Sequence, residues 1–134
     1  MKKGLGLVHY GGKEMVWGNG AIAGNFVFLS GAEGRGEKDD KTVKGLRAQT
    51  ELALDRISNR LKEAGTSIEN AVKFVWYLSD RSNELAFYEA RDGWLARNAP
   101  KLLKERSYAS TLLIAGLARK NMLVEIDCIA YIDR

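Results

Sequence analysis

An α+β fold in one domain, residues 1–134, is predicted by three observations. A long stretch from Thr42 to Ala64 repeats its apolar residues at helical spacing, and a near-continuous apolar run, "AVKFVWYL", follows it. The chain has 134 residues, 46% of them hydrophobic and 28% charged, which supports one packed core and does not normally divide into two.

Each element has its own signal. Fourteen glycines, many of them early, and a single proline predict short strands and tight turns at the N-terminal end. "GNFVFLSG" is the clearest early strand, with β-formers Phe26, Val27 and Phe28 between turn residues. "GAEGRGEKDDK" reads as an exposed loop. Leu46, Ala53, Leu54, Ile57, Leu61 and Ala64 then form one face of an amphipathic helix, and Gly65 stands where a left-handed terminator is expected. "NAVKFVWYLSD" has the character of a central strand buried on both faces. A second helix spans "SNELAFYEARDGWLARNAP", with Ser82 or Asn83 as N-cap and its end before Pro100. "ERSYASTLLIAGLARKNMLVEIDCIAYI" closes the chain as two strands joined by a basic turn, Arg119 to Asn121. This order packs both helices on one face of a mixed sheet. The other face must be polar or be covered by another chain, and Ile129, Tyr131, Leu113 and Ala115 on that face favour subunit association.

Composition narrows the function. Net charge is +4, but "RGEKDDK" and "RLKE" mix signs, and no basic stripe carries interleaved aromatics, so nucleic-acid binding is not expected. No apolar run is long enough for a membrane span, and the Gly-rich sequel to "MKK" makes a poor signal peptide, so a cytoplasmic location is expected. A lone cysteine, Cys128, and a lone histidine, His9, leave neither a disulfide nor a transition-metal site to build, and no metal or cofactor is expected. "GAEGRG" lacks the lysine-threonine sequel of a phosphate loop.

Two constellations remain. Glu125 and Asp127 share one face of the last strand, about 7 Å apart, a spacing open to acid/base work and equally open to solvent-facing acids on an edge strand. Asp127 is read as structural, whereas Glu125 becomes functional if its face is covered, because burial raises a carboxyl into the range useful for proton transfer. Arg91 falls within the apolar stripe Phe87, Arg91, Trp94. It is either a structural ion pair or snorkelling side chain, or an anchor for an anion held by two parallel hydrogen bonds.

"FVFLSG", the helix ending "LALDRISNRLKEAG", "AVKFVWYLSD" and "LVEIDCIAY" together resemble the Rid family, also called YjgF or L-PSP, over about residues 15–132. The resemblance implies a chorismate-mutase-like fold, assembled as a homotrimer with sheets facing inward and ligand clefts at the subunit interfaces. It also implies a cofactor-free deaminase that hydrolyses enamines or imines to a carbonyl compound and ammonia. By the resemblance, Glu125 positions or activates water, Ser30 and Gly31 shape the cleft, and Trp17 stands for an early aromatic. The arginine that clamps the substrate carboxylate is expected at Ala109 or Ser110 and is missing, and Thr111 takes the place of a neighbouring cysteine. Arg91, where an asparagine is expected, or Arg106 would then hold an anionic substrate from a new direction. The alternatives are a non-catalytic trimer that binds a small metabolite or a protein partner and, third, a ribonuclease.

Overall fold

The computed structural model describes residues 1–36, 39 and 41–134. Glu37, Lys38 and Asp40 of the predicted loop lie outside the described residues. Six short strands come first: β1 (Lys2–Leu5), β2 (His9–Tyr10), β3 (Lys13–Glu14), β4 (Gly20–Ala23), β5 (Phe26–Leu29) and β6 (Ala32–Glu33). Helix α1 (Leu46–Glu63), strand β7 (Ala71–Leu78), helices α2 (Glu84–Asn98) and α3 (Pro100–Glu105), and strands β8 (Ala109–Ile114) and β9 (Val124–Tyr131) follow. The α+β class and the two main helices are as predicted. Among the described residues no helix is long and apolar enough to cross a membrane.

The main sheet runs β1-β4-β5-β9-β7-β8, and β6 also pairs with β9. Among the described residues only β7 and β8 are parallel within it, joined by the crossover through α2 and α3. That crossover corrects the predicted C-terminal hairpin. It carries β8 to the outer edge of β7, and β9 takes the other edge of β7, so β8 and β9 are separated by a strand. β9 is therefore interior, not an edge strand. The prediction that β7 lies centrally holds, since it has a partner on each side.

Both helices cover one face. Phe74, Trp76 and Leu78 of β7 and Val124, Ile126, Cys128 and Ala130 of β9 alternate into a core with Leu54, Ile57 and Leu61 of α1 and Phe87 and Leu95 of α2. Phe74 and Trp76 stack with ring centroids 4.5 Å apart, and Phe87 meets Trp76 at 5.4 Å. Burial pushes the Cys128 thiol up to about 12. α1 ends as predicted. Gly65 has φ +87°, its N–H donates to Lys62 O and Thr66 N–H donates to Leu61 O, the bond pair of a Schellman cap. α3 was not anticipated; Pro100 starts it, and the left-handed Arg106 ends it at φ 52°.

The opposite face carries Phe26, Phe28, Leu113 and Tyr131, each more than a third exposed. Asp127 accepts from the Tyr77 hydroxyl there at 2.9 Å, on an interior strand and not on the edge strand of its solvent-facing reading.

One buried side chain ties the loops to α1. Gln49 Nε2 donates to Val43 O and Asn121 O, both at 3.0 Å, and Gln49 Oε1 accepts from Leu123 N at 2.8 Å. Gly34 passes so close to this residue that a Cβ there would collide with the Gln49 backbone. Gln49→Met keeps the side chain's length and removes all three bonds. It is expected to cost about 2 kcal/mol in urea unfolding, since backbone groups are left without partners; a loss under about 0.5 kcal/mol would contradict this role.

Candidate functional site

β5 and β6 lie along the same edge of β9. Phe26 to Phe28 pair with Tyr131 to Ile129, and Ala32 and Glu33 pair with Ile126 and Glu125. The ladder breaks between them at Ser30 and Gly31, and a cavity of about 400 Å³ opens beside the break. Its lining includes Tyr10, Trp17, Ser30, Gly31, Glu33, Arg35, Arg60, Arg119 and Glu125.

The side chain of Glu125 reaches into the break. A Cβ at Gly31 would collide with its carboxylate, so the glycine is required for the acid to lie against the backbone. The carboxyl is half-buried, and its pKa is raised, first by burial, then by the charge of Glu33, then by that of Asp127. Glu33 stands directly opposite it across the β6–β9 pair. Ser30 frames the break: its hydroxyl donates to Gly18 O at 2.7 Å, its N–H donates to Asn19 O at 2.9 Å, and its carbonyl accepts from Arg60 Nη1 at 3.3 Å. The first two bonds hold the end of β5 to the segment that carries Trp17, and the third ties it to α1.

Three guanidinium groups line the same cavity. Arg35 Nε pairs with Glu33, and Arg119 Nη2 approaches the same carboxylate at 3.3 Å. The Tyr10 ring packs against both, with the Arg119 Cζ 4.1 Å and the Arg35 Cζ 5.6 Å from its centroid. Arg56 donates to Arg35 O at 3.0 Å and so fixes the backbone of that residue.

Of the residues predicted from sequence, this cavity gathers Glu125, Trp17, Ser30 and Gly31. The others lie elsewhere in the chain. Arg91, Arg106 and Ser110 line a separate cavity of about 340 Å³ with Asp92, Leu103 and Tyr108. Arg91 pairs with Asp92 at 2.9 Å, and its guanidinium packs over Trp76, Phe87 and Tyr88 at 4.8 to 5.6 Å. Ser110 accepts from the Trp76 indole at 2.8 Å on the helix-covered face. Ala109 and Thr111 lie on the open face of β8, level with Ile129 and Asp127 and two strands from β9. Thr111 Oγ1 accepts there from Lys73 at 2.7 Å.

Sequence reasoning missed Tyr10, Glu33, Arg35, Arg60 and Arg119. Glu33 and Arg35 fell in the stretch read as exposed loop, whereas Ala32, Gly34 and Arg35 are buried and Ala32–Glu33 form β6. A signal for Arg60 was present. Gln49, Ala53, Arg56 and Arg60 recur at i, i+4, i+7 and i+11 of α1, which places two arginines along a buried flank as anomalous as Arg91 in its own stripe.

The comparisons with known proteins agree with this architecture. The model of the family described as "Endoribonuclease L-PSP" matches residues 14–132. Protein mmf2, mitochondrial, of Schizosaccharomyces pombe is 31% identical over 112 residues, 81% of this chain and 81% of that protein. The crystal structure of RidA from an Antarctic Psychrobacter superposes with a TM-score of 0.75 at 26% identity, covering 96% of this chain and 94% of that one. The structure of Escherichia coli TdcF with bound serine has a TM-score of 0.77 at 16% identity, covers 97% of this chain and 94% of its own, and shows likeness of fold.

The charge of Glu33 opposes ionisation of Glu125, so removing it makes the proton easier to lose. Carbon-13 NMR titration is expected to give Glu125 a midpoint above that of an ordinary glutamate, and Glu33→Gln is expected to lower it. An unmoved midpoint in Glu33→Gln would contradict the electrostatic coupling.

Proposed function

Because this chain belongs to the endoribonuclease L-PSP family, also called Rid or YjgF, we propose that it is a cofactor-free enamine or imine deaminase acting on an anionic substrate. The observation that carries this reading is the Glu125 carboxyl, half-buried against Gly31 at the break in the sheet with its proton affinity raised. In its carboxylate form such a group, made more basic by its surroundings, can take a proton from water as the water attacks the C=N carbon, and the resulting carboxyl can return one to nitrogen as ammonia leaves. One water is consumed, and the imine becomes a carbonyl compound and ammonia. Trp17 supplies an apolar wall, and Ser30 and Gly31 hold the backbone that faces the reacting atoms.

The reading includes a homotrimer. Its support is the open sheet face, where Phe26, Phe28, Leu113 and Tyr131 are exposed in one chain. Ala109, Ser110, Thr111, Arg91 and Arg106 take part only if a second copy brings β8 and its neighbouring cavity beside Glu125. Residues 1–134 are taken as one domain, and the cytoplasm as its compartment, although the S. pombe relative is named mitochondrial. A second reading, a trimer that binds a small ligand without turning it over, is favoured by Ala109 standing where the family resemblance calls for a clamping arginine. The bound serine of TdcF shows that a protein of this fold holds such a ligand.

Imines generated in situ from L-leucine or L-phenylalanine by an amino-acid oxidase distinguish the two. Wild-type protein is expected to accelerate ammonia release, and Glu125→Gln to lose roughly 100-fold or more of that acceleration. No acceleration by the wild type, or equal rates for the variant, would sink the deaminase reading.

A further inference from the structure

The Glu125 cleft contains its own cationic wall, and nothing in the family resemblance assigns it. Arg35, Arg60 and Arg119 come from three separate parts of the chain: the segment after β6, the last turns of α1, and the loop between β8 and β9. They converge on the cavity that Glu125 lines, against two carboxylates, Glu33 and Glu125, among the described lining residues. Their arrangement is braced. Glu33 pairs with Arg35 and lies 3.3 Å from Arg119, Tyr10 packs against both guanidinium groups, Arg60 donates to the carbonyl of Ser30, and Gln49 holds the backbone at Asn121 and Leu123, two and four residues beyond Arg119.

We propose that Arg119, with Arg60 and Arg35 beside it, is the carboxylate-binding wall of this cleft and takes the place of the clamp missing at Ala109. The inference rests on the deaminase reading for the identity of the reacting group, but it concerns how the substrate is held. A guanidinium presents donors in a planar fork suited to a carboxylate, and Arg119, paired with Glu33, lines the cavity with its side chain 19% exposed. Tyr10 and Trp17, 44% and 53% exposed as residues, line the same cavity and offer planar apolar surface to the substrate body. A second cavity of about 200 Å³, lined also by His9, Asn19, Arg56, Asn59 and Glu63, shares Val8, Arg35 and Arg60 with the first, so two of the three arginines border both cavities. The ligand class is therefore a 2-imino or 2-oxo acid with a sizeable, preferably aromatic, side chain, and not a three-carbon acid alone.

Product-class binding tests this without requiring turnover. Phenylpyruvate and its uncharged methyl ester are titrated calorimetrically into wild type, Arg119→Met, Arg119→Lys, Arg60→Met, Arg91→Met and the exposed-surface control Arg97→Met, each checked for native near-ultraviolet circular dichroism. The acid is expected to bind wild type about tenfold or more tighter than the ester. Arg119→Met should abolish that preference, Arg119→Lys should retain part of it, Arg60→Met should reduce it, and Arg97→Met should leave it intact. Failure of the acid to bind, equal binding of acid and ester, or a preference that survives Arg119→Met and disappears in Arg91→Met would overturn the proposal. Binding that behaves as expected without ammonia release would fail the deaminase reading alone; ammonia release with no acid preference would fail this one alone.

Discussion

The side chain of Gln49 is the constraint on which the rest of the site depends. It projects from the first turn of α1 and satisfies three backbone groups in the two loops that flank the cleft. A helix turn is a rigid reference point, and a loop tied to one inherits that rigidity. Gly34 adds to the effect, because absence of a side chain there lets the segment after β6 lie directly on the helix at Gln49. Glu33 and Arg35 flank that glycine, and Arg119 precedes the loop backbone that Gln49 holds. The relative positions of the acid and the arginines thus follow from one buried amide.

The electrostatics of the cleft follow from that packing. Glu125 is placed where burial and two neighbouring acids all favour its protonated form, with Glu33 nearer in register than the strand alternation of Glu125 and Asp127 alone would suggest. An acid held this way is costly to the fold and useful to proton transfer, a combination common at reactive sites. The nearby arginines do not cancel the effect. Arg35 and Arg119 are oriented toward Glu33, so their charge answers that carboxylate before it answers Glu125.

Much of the fold was legible because its main elements carry strong periodic signals. α1, α2, β5 and β7 each present either helical spacing or a dense β-forming run, and Gly65 and Pro100 mark ends that the backbone then obeys. β6 was illegible because two residues carry no period, and glycine-rich surroundings imitate a surface loop. The C-terminal hairpin was misread because adjacency in sequence favours pairing, whereas the crossover through α2 and α3 sent β8 to the far side of β7. Within the site, Glu125 was readable from strand alternation together with the resemblance, and Gly31 from its place after Ser30. The arginines are less legible: Arg91 stands out as a charge within an apolar stripe, and Arg56 and Arg60 carry the same signal on the buried flank of α1.

On the proposed reading, the substrate contact is where this chain departs from the pattern it resembles: the resemblance puts a cation at Ala109 or Ser110, whereas Arg35, Arg60 and Arg119 line the cavity with Glu125. A crystal structure of Glu125→Gln soaked with phenylpyruvate would test this most directly. The account predicts a carboxylate seated on Arg119, with the keto carbon facing residue 125 and the ring against Tyr10 or Trp17. A ligand lodged instead between Arg91 and Arg106, with the Arg119 wall empty, would contradict it.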